Sequence, residues 1–356
     1  MTSYLVPVGL LIAALTGGCR QLAGLEDPLP HADGPLAVDG TGDQACYGTG
    51  TVRVCFATAP AGALAVTGTL STDGTPPCAA NVVSGGDGLC VVAAGSISVA
   101  AGVTIRGTGT KPLVLVADLE IVIAGTIDVA SHRQGGRGAG ANFAGCDIAN
   151  QSTDGGGGAG GSFRGTGGAG GAPGGNPPGT TLAEPTQLHG GCQGHDGGQA
   201  TGDEGKGGDG GGAVYFIGGT TIEVESTGVV NASGAGANNG DDGTSGGGGG
   251  GSGGMIGFDA TSIAIDGTVF ANGGGGSEGS TSGGGGGTGA DSINGAAALG
   301  GTGGNGGDGG IGSAGVTLAG ASGGTGTGGG GGGGGGAGTI VIFGTKTGTG
   351  TVSPQI

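Results

Sequence analysis

Ile121-Val122-Ile123-Ala124-Gly125-Thr126-Ile127-Asp128 decides how this chain is read. Apolar residues alternate at Ile121 and Ile123, a glycine follows after a short gap, and Ile127 opens a second alternation. Period two is the signature of a half-buried strand, and a glycine between two such segments marks a corner where the backbone bends tightly or adopts positive φ. The pattern recurs as Leu64-x-Val66…Gly68-Thr69-Leu70, Ile97-x-Val99…Gly102-Val103-Thr104-Ile105, Ile222-x-Val224…Gly228-Val229-Val230 and Ile263-x-Ile265…Gly267-Thr268-Val269. A companion apolar segment precedes the last three copies in chain order: Leu113 to Ala117, Val214 to Ile217 and Met255 to Phe258. Thr339 to Phe343 is a final companion segment. A strand-turn-strand unit with a corner glycine, repeated along the chain, predicts an all-β fold of the β-solenoid (parallel β-helix) type, in which stacked rungs supply the core that no rung has alone. A β-sandwich built from the same short strands is the alternative.

Between the copies lie glycine-rich insertions of unequal length. Glycine is 107 of 356 residues, concentrated in blocks such as 155–158, 246–251 and 328–336, yet Pro is only 13 and no strict Gly-X-Y period exists, which excludes collagen. Glycine loses the most backbone freedom on folding and buries no side chain. The insertions therefore form either disordered tethers or bundles of extended polyglycine-II-like helices, which lie close together because no Cβ separates them and satisfy each other's amides.

The net charge of −17, from 26 acidic and 9 basic residues, argues against nucleic acid, whose phosphates need clustered Lys and Arg. At the N-terminus, Val6 to Leu15 has the length of a signal-peptide apolar region, too short to span a bilayer, and runs into Thr16-Gly17-Gly18-Cys19. Small residues before a cysteine resemble a bacterial lipobox, which predicts a signal peptide over 1–18 and a lipidated Cys19. Thr16 stands where Leu is usual, and the segment before the apolar run has no Lys or Arg. Residues 19–45 read as the anchor and a flexible tether, 46–133 as a disulfide-stapled β region, and 134–356 as a glycine-rich β-solenoid with low-complexity insertions. Arg20 follows the cysteine, which by resemblance to the sorting pattern favours the outer membrane or cell surface; simple secretion is the alternative. Six further cysteines suit an oxidising compartment, and short loops favour the pairs Cys46–Cys55, Cys78–Cys90 and Cys146–Cys192 out of 15 connectivities.

Gly125-Thr126-Ile127-Asp128-Val129-Ala130-Ser131, Gly138-Ala139-Gly140-Ala141 and Gly253-Gly254-Met255-Ile256-Gly257-Phe258-Asp259-Ala260 resemble a family of glycine-rich bacterial lipoproteins from about Cys46 to the C-terminus. The composition is also similar to glycine-rich repeat domains of bacterial cell-surface proteins. The resemblance implies location and architecture and no activity.

The candidates for chemistry are sparse. His189, His195 and Asp196 flank Cys192 as weak metal candidates, but Cys192 is more simply half of a disulfide. Residues 303–311, with Asp308, partly match a calcium-binding nonapeptide, in a single copy where two facing turns are needed. Asp203, Glu204, Asp209, Asp241 and Asp242 read as solvated loop charge. Glu223 and Glu225 share a strand face that alternation turns outward, and His31 and His132 read as isolated. Asp128 and Asn231 hold equivalent places in two copies, as a structural side-chain ladder would. Thr345, Thr347, Thr349 and Thr351 read as one row of hydroxyls on a strand face. The resulting expectation is a non-enzymatic, surface-displayed lipoprotein, held to the membrane by its lipid, that touches polysaccharide, other surface proteins or its own kind. A carbohydrate-active β-helix lyase or hydrolase and a calcium-dependent binding module are the alternatives.

Overall fold

The structure is a computed structural model that describes residues 44–79, 81–146, 152–182, 185–241 and 243–356. Cys19, the expected signal peptide and the tether up to residue 43 lie outside the described residues. Among those described, all regular elements are strands. In chain order they are β1 (Ala45–Tyr47), β2 (Val54–Phe56), β3 (Ala63–Ala65), β4 (Gly68–Ser71), β5 (Val82–Ser84), β6 (Cys90–Ala94), β7 (Ser96–Val99), β8 (Thr104–Thr108) and β9 (Leu113–Ala117). There follow β10 (Glu120–Ile123), β11 (Thr126–Asp128), β12 (Ala213–Gly218), β13 (Thr221–Val224), β14 (Val229–Asn231), β15 (Met255–Ile265), β16 (Thr268–Phe270), β17 (Thr339–Thr347) and β18 (Thr351–Ser353).

Apart from the small antiparallel sheet β1-β2-β5, every pairing between named strands is parallel, which is not the antiparallel pairing of a β-sandwich. Three ladders result. The first runs β6, β9, β12 and the first halves of β15 and β17. The second runs β3, β7, β10, β13 and the second halves of β15 and β17. The third runs β4, β8, β11, β14, β16, β18. Register stacks like on like: Ile97, Ile121, Ile222 and Ile263 fall in one column, and Ile105, Ile127, Val230, Val269 and Val352 in another. These columns share one apolar core with Leu115, Val214, Phe216, Ile256 and Phe258 of the first ladder. Each large side chain buried there contributes about 1.5–3 kcal/mol.

The first ladder is buried on both faces, and its strands read as unbroken apolar runs such as Leu113–Ala117. Its outer face carries Val91, Val114, Val116, Tyr215 and Met255 and is covered by Tyr47, Val54 and Phe56 from the antiparallel sheet and by Val52 from the β1–β2 connection. Asp259 anchors that cover: its carboxylate accepts hydrogen bonds from the backbone N–H of Thr49 (2.6 Å) and of Gly50 (2.7 Å). Disulfides join Cys46 to Cys55, Cys78 to Cys90 and Cys146 to Cys192, the pairs that short loops favour.

The structure adds strands that the pattern did not reveal. β6 is a companion strand of the Ile97 copy, and β17 continues past Phe343, so that β17 and β18 add a last strand to each of the three ladders. Lys346 occupies the register position of Ile263 and breaks the apolar alternation there. The threonine row is corrected as well: Thr345 and Thr347 lie on β17, but Thr351 lies beyond the corner on β18, so the four hydroxyls share no single face. The ladders also pass straight through residue 133, because β11 pairs with β14; regions 46–133 and 134–356 therefore share sheets.

All three glycine-rich insertions leave from a strand of the third ladder and return to one of the first. They join β11 to β12, β14 to β15 and β16 to β17. Register sets those departure points side by side, so the insertions meet in one array. Residues 246–254 show its rule. Gly246, Gly249 and Ser252 donate their N–H groups to the carbonyls of Gly198, His195 and Cys192; Gly247, Gly250 and Gly253 donate to Gly330, Gly333 and Gly336; Gly251 and Gly254 donate to Ala235 and Ala232. The carbonyls of the same stretch accept from Gly205, Gly208 and Gly211, from Gly158 and Gly161, and from Gly274 and Ser277. One extended stretch thus bonds six neighbours with a period of three residues, and its buried amides are satisfied without a sheet.

Sterics explain the composition. A Cβ on Gly246 would lie 1.8 Å from the Gly156 carbonyl oxygen, on Gly249 2.0 Å from that of Ala159, and on Gly250 2.1 Å from that of Gly274. The blocks are therefore packed backbone, with no room for a side chain. The corner glycines divide into two kinds. At Gly125, Gly228 and Gly267 a Cβ would lie within 2.3 Å of a carbonyl on the preceding turn, so close stacking demands glycine. Gly102 has open space around it and instead takes a φ of 76°, which a side chain disfavours.

Candidate functional site

Stretches returning to Ala213, Met255 and Thr339 run toward the rungs, so the loops that join outgoing to returning stretches collect at the far end of the array. These loops are 172–176, 199–204, 239–244, 281–284, 303–306 and 325–328. Neighbouring loops are bonded to one another: Thr201 Oγ1 lies 3.1 Å from Thr244 Oγ1, and Gly243 N–H donates to the Thr281 carbonyl at 3.2 Å. Their sequences hold Thr, Ser, Asn, Asp and Glu but no Lys, Arg or aromatic residue. Gly202, Asp203, Asn239, Gly240, Asp241 and Gly285 line a shallow groove among them.

A second polar centre lies where the array meets the rungs. Arg106 on β8 and Asp128 on β11 are register partners, and Arg106 Nη1 donates to Asp128 Oδ2 at 2.8 Å. His132 Nε2 meets the same oxygen at 2.8 Å, and His132 Nδ1 lies 3.5 Å from Asp291 Oδ2. Asp291 Oδ1 accepts from the N–H of Arg133 (3.1 Å) and of Gly236 (2.8 Å). His132 and Arg133 of the first insertion and Gly236 of the second therefore converge on Asp291 of the third. Hydrogen bonds donated to Asp128 and then to Asp291 raise the His132 imidazole to about 9, against burial, so it is cationic at neutral pH. Burial pushes the Asp128 and Asp291 carboxyls up, but in each the His132 hydrogen bond and charge leave the net shift downward. Both oxygens of each carboxylate and both nitrogens of the ring are engaged. Such a network is an ion-pair lock that ties the insertions to the rungs.

His132, read as isolated in the sequence, is the centre of this lock; its partner Asp291 lies 159 positions away, and no local spacing announces it. The Arg106–Asp128 pair was available from the copies, since each residue follows the inward aliphatic of its second strand. Asn231 is in register with Asp128, and each accepts the N–H two residues on, from Ser233 and Ala130; Asp128 in addition takes Arg106 and His132 on its other oxygen.

The weak metal candidates are spread among separate partners. Cys192 is bonded to Cys146. His189 stacks on Phe143 with ring centroids 3.9 Å apart, its Nδ1 faces the Gly190 carbonyl, and burial lowers its pKa. Asp196 accepts from Lys206 Nζ (3.0 Å) and Gly207 N–H (2.8 Å), and His195 is buried within the array. Asp308 is exposed, and its carbonyl accepts from Gly324 as part of the array. Among the described residues no three His, Cys, Asp or Glu side chains are grouped as metal ligands. Glu223 is exposed on β13.

Compared with known proteins, the chain matches no family model, no curated protein and no solved structure.

Proposed function

We propose that this protein is a β-solenoid whose insertions form a polyglycine-II array, and that it serves as a non-enzymatic, surface-displayed lipoprotein with a structural or adhesive role. The observation that carries this reading is the set of bonded loops at the far end of a packed array, rich in hydroxyls, amides and carboxylates. Rigid backbone presenting adaptable polar loops suits contact with polysaccharide, with other surface proteins or with a second copy. Three disulfides accord with an exported chain. Attachment through a lipidated Cys19 to the outer membrane or cell surface belongs to the same proposal. Replacing loops 199–204 and 239–244 with Gly-Ser segments of equal length tests the contact role: adherence of cells displaying the protein falls while the Tm is kept. Unchanged adherence by a folded variant overturns it. Release of a Cys19→Ala variant from the membrane fraction, and loss of processing under globomycin, test the anchor.

The second reading is a carbohydrate-active enzyme, favoured by Arg106, Asp128, His132 and Asp291 converging from neighbouring rungs and an insertion. The closed hydrogen bonding of these groups supports the lock instead. Polysaccharide cleavage lost specifically in His132→Gln would favour the enzyme.

A further inference from the structure

Exposed apolar side chains gather in one part of the chain. Nine large apolar residues are exposed among the described residues, and six of them follow β16: Ile293, Leu299, Ile311, Val316, Phe343 and Ile356. The first four sit on the outside of the third insertion. Its stretches 296–302, 307–313 and 318–324 lie side by side, since Gly312 N–H donates to the Ala298 carbonyl (2.8 Å) and Ala321 N–H to that of Ile311 (2.8 Å). Leu299 (65% exposed) and Ile311 (46%) therefore stand on adjacent stretches, where Ala297, Ala319 and Ala321 are exposed as well. Ile293 (67%) and Val316 (75%) sit on the turns that lead into 296–302 and 318–324. A buried polar hub fixes both turns. Gly315 N–H donates to Ser353 Oγ (2.7 Å), Ser353 Oγ donates to Asn272 Oδ1 (2.5 Å), and Asn272 Nδ2 donates to the Gly295 carbonyl (3.0 Å). The fold thus holds these side chains in place and leaves them uncovered.

Charge and area say what covers them. Residues 292–356 hold one acid, Asp308, and one base, Lys346, so the whole net charge of −17 resides in the rest of the chain. An oppositely charged partner is drawn to that acidic remainder, whereas a face without net charge admits a partner as acidic as the chain itself. Four side chains at roughly 100 Å² each, with about as much again from surrounding alanine and glycine, give about 800 Å² per copy, the size of a standard interface. We infer that the outer face of the third insertion is a homodimer interface, on which a second copy of the chain docks through the same face. The turns 293–296 and 314–317 lie at the end of the array nearest the ladders, away from the far-end loops, and the inference does not rest on the contact role of those loops.

Sedimentation velocity of the full chain at about 50 μM, a concentration that populates a complex of micromolar Kd, is the test. Wild type sediments as a dimer and remains one in about 0.5 M NaCl, because screening leaves an uncharged apolar contact intact. Leu299→Asp with Val316→Asp weakens the dimer by at least about 100-fold and sediments as a monomer with its Tm kept. Leu119→Asp, at a leucine 54% exposed between β9 and β10, remains a dimer. Hydrogen exchange of the wild type keeps the inference testable if the double variant fails to fold: amides of 293–301 and 311–319 slow as the concentration rises from about 1 to about 50 μM. A monomeric wild type, a dimer that the double variant retains, or exchange in these segments that is independent of concentration overturns it.

Discussion

Gly332→Ala places one methyl group inside the array, where its effect follows from geometry. The new Cβ would lie 1.8 Å from the Gly248 carbonyl oxygen and 2.3 Å from its carbon, against an ordinary contact of 3.4 Å or more. The stretch around Gly332 must therefore part from that around Gly248 by about 1.5 Å, far beyond what a close-packed interior tolerates. Two hydrogen bonds span the same gap, from Gly247 N–H to the Gly330 carbonyl (2.9 Å) and from Gly250 N–H to that of Gly333 (2.8 Å). Neither survives such a separation, and each such bond lost in the interior costs about 1–3 kcal/mol. The expected loss is about 2–6 kcal/mol, read by guanidinium unfolding at pH 7 with the disulfides intact. Gly283→Ala is the control: it is a glycine of a far-end loop with nothing within 4 Å of a Cβ, so it should lie within about 0.5 kcal/mol of wild type. A Gly332→Ala loss below 1 kcal/mol would refute backbone-on-backbone packing.

His132 links stability to pH with a definite sign. Its raised pKa means that its contribution is complete below about 6.5 and is lost as pH rises through about 9, by up to about 3 kcal/mol. Asp128 and Asp291, both lowered, contribute above the usual carboxylate range and lose that contribution as pH falls through it. Thermal melts from pH 4 to 10 should show the alkaline decline in wild type and its absence in His132→Gln; an identical decline in both counts against the lock. Cys146 and Cys192 close a loop with a sequence separation of 46, so replacing both by Ala should cost about 4 kcal/mol by chain entropy, read in the same unfolding assay. Lys346 stands in a column otherwise made of the aliphatic residues Leu64, Ile97, Ile121, Ile222 and Ile263, on an edge strand whose other side is unpaired among the described strands. An exposed charge on an edge strand guards against edge pairing, so Lys346→Ile should promote self-association by size-exclusion chromatography with light scattering; a strictly monomeric variant would contradict that role.

What could be read in the sequence follows the range over which each signal acts. Strand alternation is local, so Ile97, Ile121, Ile222 and Ile263 disclosed strands that stack in parallel register, and the apolar run Leu113 to Ala117 disclosed a companion strand. Where a local rule was broken, reading failed: Lys346 breaks the apolar alternation on β17, and alanine-rich Cys90–Ala94 hid a companion strand. The glycine blocks could not be resolved because their partners are other blocks, distant in the chain and identical in composition. Nothing in residues 246–251 says that 330–336 lies beside them. The lock was invisible for a similar reason, since only the three-dimensional meeting of the insertions brings Asp291 to His132.

Backbone hydrogen exchange across the glycine blocks tests the central claim most directly. A packed array predicts slow exchange for residues 246–251 and 328–336, with protection comparable to that of the core strands β12 and β15. Complete exchange of these blocks within seconds, while β12 and β15 remain protected, would contradict it and reduce the blocks to tethers.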